Sequence, residues 1–456
     1  MPDLNIRTLR LRDYRCFEAI DIDFHEQLTV LIAANGAGKT SVLDAIAVAF
    51  GPYIGAFDEA VGRHFGSTDI RLVRARETSS NEMESAARGV RLEATGFIPG
   101  SLDETFMESE STWKRSLASP TKAKTTIKDA KELIKYGKSQ QEAVRTPGGE
   151  TVLPLLAYYG TGRLWQQKKL MEVKLPRTSR TVGYADCLDP ASSYKSFVAW
   201  LRYWSTNALK EQLEANKANR EYQPTEFDHY IQSVSQAVNT CLAPSGWKDI
   251  AYSLSLETLV GHHDQHGELP VELLSDGIRN MIGMVADIAF RATKLNPQFG
   301  SSASKESPGV VLIDEVDMHL HPEWQQVVLQ CLMAAFPKLQ FIVTTHSPQV
   351  LSTVKRENIR IIGPDANGKI IAAPPLAMTY GEPSGDVLHS VMMVDPQPPV
   401  TERADLQRLT DWVDQGNYQS TEAKQLMQRL VGALGAQHPQ LQRLQRSIQR
   451  QEALKQ

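Results

Sequence analysis

Cysteine is scarce in this chain, and what there is lies scattered. Cys16, Cys187, Cys241 and Cys331 form no Cys-x-x-Cys pair, so neither a zinc site nor a disulfide framework is indicated. Long apolar runs are missing as well. None approaches the roughly 20 residues that cross a bilayer, and the start carries no signal-peptide pattern. The cytoplasm is therefore the expected compartment, with no membrane partner. Charge of one sign is not in excess: 49 Lys and Arg face 53 Asp and Glu, a net charge of −4. That excludes a basic nucleic-acid coat and leaves DNA or RNA contact only to local basic patches. No internal repeat and no sustained heptad pattern is visible, which argues against a long coiled coil.

What is present is a chain of 456 residues, 41% hydrophobic and 22% charged, enough for two or three packed domains. Near its start runs QLTVLIAANGAGKTSVLDAI, from Gln27 to Ile46. An apolar, β-branched strand ends in a turn of small residues, and the turn enters an apolar helix. This is the strand–loop–helix context of a phosphate-binding P-loop. Asn35, Gly36, Ala37 and Gly38 form the curl whose N–H groups face inward, and the helix adds its positive N-terminal end. Lys39 is placed to reach the β- and γ-phosphates, Thr40 to hold Mg²⁺, and Ser41 to line the first turn. The usual first glycine is Ala33 here, tolerable if that position does not need positive φ.

Further on, GVVLIDE (Gly309–Glu315) reads as a strand buried on both faces of a parallel sheet, ending in two carboxylates. Asp314 would hold Mg²⁺ and Glu315 would polarise the attacking water. After the next apolar strand comes Thr344-Thr345-His346-Ser347-Pro348, where His346 could hydrogen-bond a γ-phosphate. Between these halves, LSDGIRN (Leu274–Asn280) opens a helix with Ser275 at the N-cap.

The order of these segments resembles the ABC-type ATPases, with LSDGIRN standing where the signature motif LSGGQ stands in transporters. More narrowly the chain is similar to the soluble SMC-, RecF- and OLD-like branch. The opening LRLRDYRCFEAIDIDF and the extended DEVDMHLHP of residues 314–322 carry that likeness. The resemblance implies an α/β fold: an ABC-type P-loop ATPase head with a mixed sheet, a helical lobe or insertion, and a helical C-terminal tail. It implies ATP and Mg²⁺ as ligands, Arg15 near the base, Asp317 in the D-loop, and Ser275 and Gly277 reaching the γ-phosphate held by a second copy. A homodimer follows, or a higher-order even-numbered assembly such as a hexamer. The Q-loop glutamine has no clear counterpart; Tyr159, Gly160, Arg163, Gln166 and Gln167 stand in its region.

LLAYYGTGRLW, GYADCLDP…FVAWLRYW, DEVDMHLHPEWQQ and YGEPSGDVLHSVM together look like the PtuA-type ATPases of Septu and retron-associated antiphage defence. In that family the ATPase works with a separate HNH nuclease, PtuB. The resemblance therefore implies an ATP-hydrolysing regulatory subunit with an HNH partner. The alternative is a RecF- or SMC-like repair ATPase that acts on DNA without a nuclease.

The expected organisation is residues 1–100 as the first half of the head and 101–150 as a polar insertion. Residues 151–260 form a strand and helical lobe, 261–395 the second half of the head, and 396–456 a helical docking tail. In that tail Leu406, Leu409, Trp412 and Val413 recur at helical spacing, which fits either a partner surface or packing within the tail. Trp200 and Trp204, one turn apart, read as core anchors. His319 and His321 read as packing residues rather than a metal pair, and Gly261–His266 as a hairpin turn rather than a nuclease motif.

Overall fold

The computed structural model describes residues 3–74, 83–86, 88–102, 108–121, 123–148, 151–163, 179–190 and 195–454. They form two compact units, Met1–Val387 and Leu388–Gln456. The boundary falls a few residues before the expected one at 396.

The first unit begins with strands β1 (Thr8–Tyr14) and β2 (Phe17–Asp23), an antiparallel pair whose alternate residues Leu9, Leu11, Ile20 and Ile22 are buried. Strand β3 (Leu28–Ile32) is buried at every position and feeds the P-loop into helix α1 (Lys39–Ile54). A small pair, β4 (Leu72–Arg74) and β5 (Met83–Ser85), follows. Then come β6 (Val90–Leu102), β7 (Glu108–Leu117) and helix α2 (Lys131–Arg145), giving an antiparallel sheet in the order β2-β1-β6-β7.

This part departs from the sequence expectation. Strand β6 pairs with β1 on one side and β7 on the other. The 101–150 region is no separate insertion, because β7 closes the sheet and packs on α1. The reason lies in helix α1 itself. Pro52 has no N–H, so the Val48 carbonyl lacks its helical partner. Arg115 on β7 donates to that carbonyl at 2.8 Å, and Trp113 donates its indole N–H to the Ala49 carbonyl at 3.0 Å. Both side chains are buried, and desolvation lowers the Arg115 pKa to about 10. A strand written in Ser, Glu, Lys and Arg hides this inward face.

Strand β8 (Leu155–Tyr159) returns to the sheet of β3. Helices α3 (Lys195–Lys217) and α4 (Glu226–Leu242) form the lobe, followed by a meander of β9 (Trp247–Ser253), β10 (Thr258–His263) and β11 (Gly267–Pro270) where a single hairpin was expected. Helix α5 (Asp276–Leu295) packs on the lobe. Its Phe290 sits 6.1 Å and 5.7 Å, ring centre to ring centre, from Trp200 and Trp204. Both tryptophans are buried anchors.

After the short helix α6 (Ala303–Glu306) comes β12 (Gly309–Ile313), buried throughout. Two helices follow, α7 (Pro322–Gln325) and α8 (Val328–Ala335). Strand β13 (Leu339–Thr344), helix α9 (Pro348–Leu351), strands β14 (Ile359–Pro364) and β15 (Ile370–Ala373) and helix α10 (Ser384–Ser390) complete the run. The central sheet has the order β15-β14-β3-β13-β12-β8, parallel except for β15. It thereby sets the C-terminal ends of β3, β13 and β12 side by side, the edge where open α/β sheets bind ligands.

In the second unit, α11 (Arg403–Asp414), α12 (Thr421–Leu434) and α13 (Pro439–Ala453) pack together. Leu406, Leu409 and Val413 are buried with Leu426, Leu430, Leu441 and Leu444, and Trp412 packs partly against them. The stripe is thus this unit's own core. A docking role for it is corrected: burying these side chains against one another removes them from a partner's reach.

Candidate functional site

The P-loop curls through two left-handed glycines, Gly36 at φ 77° and Gly38 at φ 97°. Gly38 is irreplaceable on a second count, since an added Cβ would lie 2.3 Å from Phe17 Cζ and 2.7 Å from Cys16 Sγ. Ala33 is not among the residues with positive φ, which is why it can replace the customary glycine. No side chain caps α1, so its first amides remain for an anion. Lys39 donates to the carbonyls of Ala33 at 2.8 Å and Ala34 at 3.4 Å. Burial lowers its pKa, against the opposing pull of Asp314 and Glu315.

Across the edge, the Thr40 hydroxyl donates to Asp314 Oδ2 at 2.7 Å, joining the first turn of α1 to the end of β12. The other carboxylate oxygen accepts from Thr344 at 2.6 Å, and Thr344 in turn accepts the Glu315 N–H at 2.8 Å. Thr344 is wholly buried and Asp314 is 2% exposed. Glu315 occupies the left-handed region at φ 48°, a strained backbone for a glutamate. Hydroxyl and carboxylate oxygens are the hard donors that Mg²⁺ takes, so this pair fits a magnesium-bound phosphate. His346 follows on the neighbouring strand's exit and is half-buried.

The start of α5 differs. Ser275 has the extended N-cap backbone, but its hydroxyl does not cap the helix, and the residue is exposed. Gly277 is buried against the D-loop: an added Cβ would stand 2.4 Å from the His319 carbonyl oxygen. His319 itself has φ 63°. Deeper in α5, Asp287 accepts from Tyr159 Oη and from Arg291 Nε, each at 2.7 Å, and the Tyr159 carbonyl accepts the Asp314 N–H at 2.8 Å.

Arg15, expected beside a base, is gripped by Asp44 at 2.6 Å and Asp69 at 2.7 Å, with Ser41 Oγ at 3.4 Å. Arg63 takes the second oxygen of Asp44 at 2.6 Å. Sequence reasoning missed Asp44, Arg63, Asp69 and Thr344. The hydroxyl run beside His346 was the only local signal. Gln166 and Gln167 lie outside the described residues. Among the described residues no group of three or more His, Cys, Asp or Glu could hold a metal ion. None of the described helices is long and apolar enough to cross a membrane.

A model of the AAA domain family matches residues 8–238, half of the chain, and a second AAA-domain model matches residues 208–352. The chain belongs to the AAA domain family and is an ATPase. Its relatives narrow the class. It is 27% identical over 428 residues to the Retron Vc95 probable ATPase of Vibrio cholerae serotype O1 biovar El Tor, across 84% of this chain and 78% of that one. It is 25% identical over 490 residues to the Retron Ec83 probable ATPase of Escherichia coli, across 95% and 84%. The Septu protein PtuA of Bacillus thuringiensis is 29% identical over 137 residues, 28% of this chain and 34% of that one.

Proposed function

We propose that this chain is the ATP-binding and ATP-hydrolysing regulatory subunit of an antiphage defence complex, with ATP held between two copies and controlling a separate HNH nuclease. One observation carries the site: Thr40, Asp314, Thr344 and the Glu315 amide are joined in one hydrogen-bonded set at the P-loop. The retron and Septu relatives support the defence setting.

In this reading Asn35 to Gly38 wrap the phosphates with backbone N–H groups, and Lys39 supplies the cation. Thr40 and Asp314 would hold Mg²⁺, which offsets charge on the β- and γ-phosphates when bound. Glu315 takes the proton of the attacking water, and His346 hydrogen-bonds the γ-phosphate. Arg15 stays beside Ser41 as a brace for the first turn of α1. Ser275 and Gly277 serve the second copy's nucleotide, as the exposed and uncapped start of α5 suits. Each charge-assisted bond to a γ-phosphate is worth about 1.5–3 kcal/mol. A few per site, made twice, favour a closed dimer until hydrolysis removes them.

The test is purification of the chain with its operon neighbours and mass measurement with and without ATP. A co-purifying HNH protein, an even-numbered assembly, and nuclease output that changes with nucleotide are expected. A lone dimer that binds DNA ends and has no nuclease partner would overturn the defence reading in favour of repair.

A further inference from the structure

The exits of β12 and β13 are fastened by three hydroxyls, those of Thr344, Thr345 and Ser347. Thr344 donates to Asp314. Thr345 donates to Asp317 Oδ1 at 2.5 Å and accepts the Ser347 N–H at 2.9 Å. Ser347 donates to Gln325 Oε1 at 2.7 Å, and Gln325 Nε2 donates to the Leu320 carbonyl at 2.9 Å. Among residues 344–347, all described, the His346 side chain alone makes no tie of this kind, and its neighbours on both sides are pinned to the segment that follows Glu315. Thr344 and Thr345 are fully buried and Ser347 is 5% exposed, so these bonds are shielded from competing water.

We propose that Gln325, which lies outside every nucleotide motif, is a positioning residue for His346, acting through the Ser347 hydroxyl. The inference rests on the reading that His346 contacts the γ-phosphate. Gln325 closes the far end of the fastening. Its amide is held by the Leu320 carbonyl, which fixes the carboxamide plane and aims Oε1 at Ser347. Ser347 has a second carboxamide oxygen in reach, that of Gln349 at 3.1 Å, but Gln349 lies on the same short helix as the serine and ties it to nothing across the site. Of the two bonds that Ser347 donates, only the one to Gln325 spans the two exits. Loss of that tie frees the backbone that carries His346 while leaving the P-loop contacts intact. The effect therefore falls on the chemical step and spares nucleotide affinity.

The experiment is single-turnover ATP hydrolysis by the full chain, with ATP affinity measured in parallel. Gln325→Leu keeps the volume and removes both bonds. The expected result is a rate lowered about tenfold with affinity unchanged within about twofold. In a His346→Ala background the same change should cost less than about twofold, since residues that act as a unit are non-additive. Ser347→Ala should mimic the loss, Ser347→Thr should restore the rate, and Gln349→Leu should leave it unchanged. A full rate in Gln325→Leu, or a loss that adds in full to His346→Ala, overturns the proposal. If His346→Ala itself hydrolyses at the full rate, the reading of His346 falls and this inference with it. If His346→Ala is slow and Gln325→Leu is not, only this inference falls. Should Gln325→Leu fail to fold, the Ser347→Ala and Ser347→Thr pair, each combined with His346→Ala, makes the same decision.

Discussion

The strand exits at the P-loop and the start of helix α5 carry the two halves of one proposed site, yet they are built in opposite ways. At the exits, Thr40, Asp314 and Thr344 satisfy one another, with Asp314 and Thr344 buried and Thr40 exposed at the start of α1. At α5, Ser275 is exposed and its hydroxyl caps nothing, while two residues on Gly277 is pressed against the D-loop carbonyl. The difference teaches where each half finds its partners. The first is complete within one chain. The second is packed from behind and open in front, which suits the proposed contact with another copy's phosphate.

Mutations can separate the halves, and their expected effects on ATP turnover run from total to none. Asp314→Asn should abolish hydrolysis, and it should lower stability by about 1–3 kcal/mol because the amide keeps only one oxygen, so one of the two threonine hydroxyls loses its acceptor. Steady-state hydrolysis and thermal unfolding read the two effects. Glu315→Gln should slow turnover about 100-fold or more, the usual scale for a lost general base, with ATP affinity retained in calorimetry. Ser275→Arg should leave the isolated chain's stability within about 0.5 kcal/mol, as surface changes do. It should nevertheless abolish ATP-dependent dimerisation in ultracentrifugation and cut turnover about tenfold, because one half of the site is removed from the other copy. A variant that still closes with ATP would mean that α5 does not complete the site in trans. Leu409→Ala, in the second unit, should destabilise that unit by about 2–5 kcal/mol while turnover by the first unit changes less than about twofold.

What the sequence disclosed follows the same division. The strand–loop–helix of the P-loop and the strand-end positions of Asp314, Glu315 and His346 were legible because each is a short run with a distinct spacing, and the buried strands β3, β12 and β13 show as unbroken apolar stretches; the roles of these residues belong to the proposal. The Thr344 bridge was not legible, since it joins residues about thirty positions apart. The inward face of β7 was hidden by its polar letters. The stripe of Leu406, Leu409 and Val413 was read correctly as helical, but periodicity alone does not tell which molecule covers it.

Pro52 has a consequence for the order of events as the chain emerges and folds. It interrupts the hydrogen-bond ladder of the very helix that begins with Lys39 and Thr40, and the missing donor arrives from Arg115, sixty-three residues past it. Helix α1 therefore buries its Val48 carbonyl only once that donor is in place. In a nascent chain released before residue 108, which lacks the donor, that carbonyl has only water to bond, so the packing around the back of the P-loop helix would be completed by the strand that follows.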